Sequence, residues 1–257
     1  MTAIAQTIAR PWTSPTLGGI TVVVALAAIL QLSIDAGLVP DIVVARPLDA
    51  LAAIGPLNRD MDLVGNFFLT FGMTFAAVAL AIAIGVPLGY LLYRYDILGQ
   101  AYESWLAAAF SAPIVLLYPL FLVIIGRSHL TLVAMAFIPC VIPIIIQTRQ
   151  GLLSTPPTHI NVGRSFNLSE RDMFWKIMLP AAVPSMFTGM RIGVMYALVT
   201  IVAIEYLIDF GGLGRIVSEM YFRFDIPGTY ASILFVVFVS ILFYASLNRI
   251  EKWLRPI

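Results

Sequence analysis

The sequence predicts an all-α membrane protein with about six transmembrane helices and no separate soluble domain. Hydrophobic residues make up 60% of the 257 residues and charged residues only 11%, whereas soluble domains are about 45–50% apolar and about 25% charged. Six apolar stretches are long enough to cross the hydrocarbon core, which requires roughly 20 residues of helix. Because so apolar a chain cannot cover itself with polar surface, its solvent must be largely lipid.

The predicted spans cover residues 17–38, 66–93, 105–126, 130–148, 182–207 and 229–248. The first lacks a small-residue cleavage site, which predicts a retained helix rather than a removed signal peptide. The fourth contains Pro139 and Pro143, which a membrane helix tolerates where neighbouring helices satisfy the freed carbonyl groups. Residues 1–257 are therefore assigned to one transmembrane domain.

The distribution of Lys and Arg predicts that both termini lie in the cytoplasm. With the N-terminus inside, nine of these residues fall in cytoplasmic segments: Arg10, Arg94, Arg149, Arg164, Arg171, Lys176, Arg249, Lys252 and Arg255. Five fall in external segments: Arg46, Arg59, Arg127, Arg215 and Arg223. Cytoplasmic loops of membrane proteins carry the excess of positive charge, so the count favours this orientation.

Two of the predicted external connections carry local signals. Residues 46–54 predict a short helix along the outer surface, and Asp60 and Asp62 suit the cap of the span that follows. The sequence Gly211-Gly212-Leu213-Gly214 predicts a tight turn with positive φ angles. Whether this turn also forms part of an external gate stays open at this point.

Composition and motifs argue against several classes of function. A net charge of +1 argues against a nucleic-acid binder, which needs a basic face. Cys140 is the only cysteine and His129 and His159 lie far apart, so no metal site is predicted. The chain has neither G-x-S-x-G nor H-E-x-x-H. We therefore assign no catalytic residue and do not expect an enzyme.

The connection 149–181 is the most informative segment. Pro156 and Pro157 end the fourth span, and a short amphipathic stretch follows. A turn around Asn167 leads to a second short helix from Ser169 to Met178, in which Ser169 and Asp172 occupy the positions of a capping box. From composition alone, a helix on the membrane surface and a helix that docks into a partner are equally good interpretations.

This segment resembles the cytoplasmic loop of the permeases of bacterial binding-protein-dependent ABC importers. That loop has the pattern EAA, three residues, Gly, nine residues, Ile-x-Leu-Pro. The end of the pattern matches Ile177, Leu179 and Pro180. Its glycine falls on Asn167, and after Gly, Asn is the residue that best tolerates the left-handed conformation. Its EAA triplet falls on residues 161–163, which read Asn-Val-Gly, so the start of the pattern is not kept.

The likeness runs from residue 41 to the C-terminus and is greatest to the taurine, sulfonate and nitrate group of these permeases. It includes IGVPLGYLLYR at 84–94, SAPIVLLYPLFLVIIG at 111–126 and, most closely, residues 179–217. It implies the fold of a type I ABC importer permease in the bacterial inner membrane.

The resemblance also implies partners. A permease of this family pairs with a second permease, here in a homodimer or a heterodimer, and with ABC ATPase subunits. An extracytoplasmic binding protein delivers the solute, which we expect to be small and anionic. The chain has no G-x-x-x-x-G-K-S/T phosphate loop. We therefore expect no cofactor on this chain, and ATP and Mg on the ATPase. Besides these proteins, only membrane lipid is an expected partner.

The coupling loop is expected at about residues 155–178. The residues that the resemblance implies for ATPase docking are Asn161, Gly163, Arg164, Phe166, Asn167, Leu168, Glu170 and Arg171. The resemblance favours docking over the membrane-surface interpretation.

Arg191 lies inside the fifth span, where a guanidinium usually faces an aqueous cavity or a counter-ion. Glu205 lies further along about the same helical face, with Met195, Leu198 and Val202 between them. One interpretation is a translocation face with a charge near each mouth. The other is that Arg191 caps carbonyl groups or pairs with an acid on another helix.

Two further alternatives stay open. An ion-coupled secondary transporter would need coupling-ion groups near the bilayer midplane and two related halves, and few mid-span acids and no detectable halves count against it. Gly85 and Gly89, like Gly189 and Gly193, have the G-x-x-x-G spacing that lets helices approach closely. This spacing serves either packing within one subunit or a dimer seam.

Overall fold

The computed structural model describes the backbone of residues 15–254 and the side chains of residues 17–249 and Glu251. Regular secondary structure in this range is helical. Arg10 and Arg255, which contribute to the predicted orientation, lie outside the described residues together with both chain ends.

The helices follow one another with short connections. They are α1 (Pro15–Asp35), α2 (Pro47–Met61), α3 (Leu63–Arg94), α4 (Asp96–Ser111), α5 (Tyr118–Ile125), α6 (His129–Leu153), α7 (Pro157–Ser165), α8 (Glu170–Met173), α9 (Leu179–Ile208), α10 (Leu213–Phe222) and α11 (Ile226–Leu254). Helices α1, α3, α6, α9 and α11 match the predicted spans other than the third, and each is long and apolar enough to cross a membrane.

The third predicted span, 105–126, is wrong as a single straight helix. Helix α4 begins at Asp96, only one residue after α3 ends, so the predicted loop before residue 105 is helical. A 3₁₀ turn at Ile114–Leu117 separates α4 from α5, and the two helices are bent by 79°. Pro113 lies at this break, and proline disfavours helical backbone in the residue before it. The bent pair brings the number of candidate spans among the described residues to six.

Helix α6 is the centre of the bundle, with α3 on one side and α9 on the other. Its core residues Leu132, Met135 and Ile144 are completely buried. A Cβ built on Gly89 of α3 would lie 2.8 Å from the carbonyl oxygen of Ile145. A Cβ on Gly193 of α9 would lie 2.6 Å from the carbonyl oxygen of Cys140. Only glycine permits this approach of backbone to backbone, so both G-x-x-x-G pairs are used within the subunit.

The outer helices are less buried. Most side chains of α1 are exposed along its length. Helix α2 begins at the expected place with Pro47, but it continues to Met61 rather than ending near residue 54. The side chain of Asp62 then accepts a hydrogen bond from the Gly65 amide at 3.0 Å, which confirms the predicted cap of α3.

The close approach of α9 to α6 predicts the effect of one added methyl group. We expect Gly193→Ala to lower the free energy of unfolding by about 1–3 kcal/mol, the usual cost of overpacking, because its Cβ meets backbone. The control is Gly72→Ala on the exposed face of α3, where nothing lies within 4 Å of the new Cβ. Alanine is the better helix former, so the control should be neutral or slightly stabilising. Equal melting temperatures in detergent would contradict the packing described above.

Candidate functional site

The connecting segment, residues 157–178, is a helical hairpin whose turns are set by local sequence. Helix α6 ends at Leu153 and α7 begins at Pro157, as the two prolines predict. Asn167 has a φ of +52°, which confirms the left-handed turn expected there. The Ser169 hydroxyl accepts a hydrogen bond from the Asp172 amide at 3.1 Å and donates one to the Asp172 carboxylate at 2.8 Å. The predicted cap of the second helix is therefore confirmed.

The second helix of the segment covers residues 170–178 in two parts and continues into the fifth span. Helix α8 covers only Glu170–Met173, and a π-helical turn at Phe174–Met178 leads directly into α9 at Leu179. Gly163 of α7 is buried against this turn: a Cβ there would lie 2.6 Å from the Ile177 Cδ1 and the Met173 Cε. Gly163 therefore packs the two helices of the hairpin together, and its docking of a partner stays a prediction.

The connecting segment is fastened to the end of α3. The ring of Phe174 lies 4.7 Å from that of Tyr90, centroid to centroid. The Arg94 guanidinium and the Glu170 carboxylate form an exposed ion pair at 3.5 Å. With α9 continuous with the segment, a force applied to these residues reaches both α3 and α9.

The remaining docking candidates lie on the outside of the hairpin. Phe166 is 76% exposed at its tip, next to exposed Val162. Leu168 is half-buried, and the polar candidates Asn161, Arg164, Asn167, Glu170 and Arg171 are exposed. The hairpin thus presents an apolar side chain within a polar rim, the composition of a helical docking surface.

The second candidate region is the predicted translocation face on α9, and the structure divides its residues. Arg191 forms an ion pair with Glu251 of α11 at 2.7 Å and a hydrogen bond with Asn248 at 2.9 Å. Of the two interpretations of Arg191, the geometry therefore favours the pairing with an acid on another helix. Glu205 is completely buried, so its carboxylate does not stand at an open mouth in this conformation.

Leu198 and Val202 do line an open space. They border a groove of about 480 Å³ between α9, α10 and α11. The other lining residues include Val217 of α10 and Val236 of α11, and Tyr206 and Ser240 supply hydroxyl groups. Met195 is half-buried and lies outside the lining residues.

Sequence reasoning missed an ion-pair cluster around a buried arginine of α6. The Arg149 side chain is 8% exposed and contacts Glu103 at 2.5 Å and Asp96 at 3.4 Å, both on α4. These carboxylates hold the first half of the bent pair against the core. The available signal was Arg149 at the end of the fourth predicted span and two acids ahead of the third, but only the early start of α4 brings them together.

A family model described as "Binding-protein-dependent transport system inner membrane component" matches residues 81–256 of the chain. The matched part contains the connecting segment, α9, α10 and α11. The chain belongs to this family. The resemblance seen in the sequence is therefore confirmed.

Relatives in other bacteria are named as permeases, and two of the following three carry the name of a solute. A probable ABC transporter permease protein of Brucella melitensis is 26% identical over 82% of this chain and 88% of its own length. The formylaminopyrimidine transport permease protein ThiX of Halalkalibacterium halodurans is 27% identical, with 83% and 87% covered. The nitrate import permease protein NrtB of Synechococcus elongatus is 30% identical, with 68% and 62% covered.

A solved structure shares the fold. The methionine ABC transporter MetNI in an inward-facing conformation matches with a TM-score of 0.65 at 20% identity, covering 76% of this chain and 96% of that chain. The expected type I permease fold is therefore confirmed.

The family fixes the broad function of the chain. It is the membrane-spanning permease subunit of an ABC importer, a multi-pass inner-membrane protein and not an enzyme. The permease family has no cofactor of its own and implies an ATPase and a substrate-binding protein as partners. The ion-coupled alternative gains no support from these comparisons.

Proposed function

We propose that this permease works as a homodimer, docks two ATPase subunits through residues 157–178, and imports a small anionic solute that an extracytoplasmic binding protein delivers. In this proposal the whole chain is one transmembrane domain with both termini in the cytoplasm. ATP and Mg are bound by the ATPase subunits. The observation that carries it is the exposed Phe166 on a hairpin anchored to the core.

Phe166 is the natural anchor for a partner because it is a large apolar side chain that the subunit leaves uncovered. At 76% exposed it loses the stabilisation of about 1.5–3 kcal/mol that full burial gives. Phe174, another phenylalanine of the hairpin, is half-buried against Tyr90 and so belongs to the anchor on α3. One aromatic ring holds the hairpin and the other is available for the ATPase.

The homodimer proposal rests on the open groove. A single chain leaves the groove beside Leu198 and Val202 unclosed on one side, and a second copy related by two-fold symmetry would present the same surface to it. We propose that Leu198 and Val202 line the path and that Met195 continues it. Arg191 and Glu205, which the sequence also suggested for the path, are engaged in contacts within the subunit.

The proposal of an anionic solute rests on the similarity to the nitrate permease. Arg191 does not support it, because its guanidinium is paired with Glu251. Inhibition of uptake by unlabelled nitrate, but not by a neutral formylaminopyrimidine, would support it. Inhibition by the formylaminopyrimidine but not by nitrate would instead indicate a heterocyclic solute of the kind named for the ThiX relative.

Cysteine labelling tests the orientation. We expect a membrane-impermeant maleimide to label Gly55→Cys and Tyr221→Cys in intact cells, because both positions are exposed on the proposed external side. Thr158→Cys, exposed on α7, should be labelled only after permeabilisation. The parent protein is the control, since its single cysteine, Cys140, is buried. Labelling of Thr158→Cys in intact cells would invert the topology and exclude ATPase docking at this segment.

Replacement of the exposed ring of Phe166 tests docking, and native mass spectrometry of the unmodified complex tests its stoichiometry. Phe166→Asp puts a carboxylate into the proposed desolvated contact, where an unpaired charge costs several kcal/mol. We expect the variant to insert and fold, to lose the ATPase on purification and to lose uptake. In native mass spectrometry the unmodified complex should contain two copies of this chain and two ATPase subunits.

The matched control is Thr158→Asp, which adds the same charge at an exposed position near the start of α7. Thr158 is not among the residues that the resemblance implies for docking. It should retain the ATPase. If Phe166→Asp co-purifies with the ATPase in normal amount and transports, residues 157–178 are only a helix on the membrane surface. One copy of this chain beside a different permease would replace the homodimer with a heterodimer.

A further inference from the structure

The buried carboxylate of Glu205 has a role other than the one its position in the sequence suggests. It lies near the end of α9 and is completely buried. The Thr70 hydroxyl of α3 lies 2.8 and 3.0 Å from its two oxygens, and the Gly214 amide donates to it at 2.9 Å. Within the part of the chain that the structure describes, no Lys or Arg forms an ion pair with it. Neutral hydrogen-bonding groups of Thr70 and Gly214 therefore satisfy this buried carboxyl group.

These donors fasten the glycine turn, residues 209–214, to two spans. The Thr70 hydroxyl, while it donates to Glu205, accepts a hydrogen bond from the Leu213 amide at 2.9 Å. The Asn66 side chain of α3 accepts one from the Gly212 amide at 2.7 Å. Successive amides at the start of α10 are thus held by side chains of α3 and α9.

Glycine is required in this turn for space as well as for conformation. Gly211 and Gly212 have φ values of +89° and +86°, in the region that side chains disfavour. A Cβ on Gly212 would collide with the Glu205 carboxylate, and one on Gly214 would collide with the Val202 carbonyl group. The turn therefore brings α10 directly onto the wall that Glu205 and Val202 share.

Helix α10 borders the same groove as the proposed path. Gly214 and Val217 line it together with Leu198 and Val202. The helix is ten residues long, and positive φ angles flank it at Gly212 before it and Phe224 after it. A short helix between two such turns has the form of an element that moves as a unit.

We infer that Thr70 and Glu205 form a latch that holds α10 as the external gate of the groove. Both act as positioning residues: they fix the start of α10, and solute enters the path when these hydrogen bonds open. The inference rests on the proposed function for the direction of transport and for the groove as the path.

The latch is tested in the reconstituted complex by removing one hydroxyl group. Thr70→Val keeps the shape of the side chain and removes its hydrogen bonds to Glu205 and Leu213. The matched control is Thr74→Val, one turn along α3, whose equally buried hydroxyl bonds only to the Thr70 carbonyl group of its own helix. Thr70→Ser restores the hydroxyl group. Glu205→Gln keeps the volume and replaces the carboxyl group with an amide, and it is measured in parallel in case Thr70→Val does not assemble.

Two readouts separate a gate from general stability. The first is the rate at which an external maleimide labels Ser218→Cys, a conservative change at a buried position of α10. We expect Thr70→Val to raise this rate at least fivefold, because leaving a buried hydrogen-bonding group unsatisfied changes an equilibrium by roughly 5- to 150-fold. The second is the number of solute molecules moved per ATP hydrolysed. We expect Thr70→Val to lower this ratio severalfold and to continue hydrolysing ATP when the binding protein is left out.

Equal labelling rates in Thr70→Val and Thr74→Val would overturn the latch, as would a parallel fall of hydrolysis and uptake with an unchanged ratio. Failure of Thr70→Ser to restore the normal ratio would also overturn it. If the unmodified complex shows no ATP-driven uptake, the proposed function fails. If that complex works and Thr70→Val changes neither readout, only the latch fails.

Discussion

The contact between glycine faces and the backbone of α6 determines the rest of the subunit. Gly85 and Gly89 of α3 and Gly189 and Gly193 of α9 all lie against α6, several of them against its carbonyl oxygens. In lipid, helix association depends on such close packing because no hydrophobic force drives helices together. Helices α3, α6 and α9 therefore form one unit, and the peripheral α1 and the bent pair α4–α5 are arranged around it.

This unit connects the two ends of the molecule. Helix α3 carries Tyr90 and Arg94 at the connecting segment and Asn66 and Thr70 at the glycine turn. From Thr70 to Arg94 the helix rises about 36 Å at about 1.5 Å per residue, comparable to the thickness of the membrane core. In the proposed function, a displacement of the hairpin by the ATPase would have a continuous mechanical route to α10, with packed side chains at each end of it.

The sequence was sufficient wherever a local signal decides the structure. Length and apolarity located five spans, and the capping chemistry of Ser169 and the left-handed tolerance of Asn167 defined the hairpin. The bend near Pro113 was missed because an apolar run has the same composition whether straight or broken. Gly163, Arg191 and Glu205 were placed on candidate functional surfaces, but their partners, Ile177, Glu251 and Thr70, come from other elements and become visible only in the folded chain.

The proposed function requires that ATP hydrolysis on a partner bound at residues 157–178 drives solute through this subunit. Uptake into proteoliposomes containing the purified complex tests it most directly. We predict uptake that requires ATP on the side of the hairpin and binding protein on the opposite side, and that persists when ionophores collapse all ion gradients. Uptake by the permease alone, driven by a proton or sodium gradient without ATPase, would contradict the account.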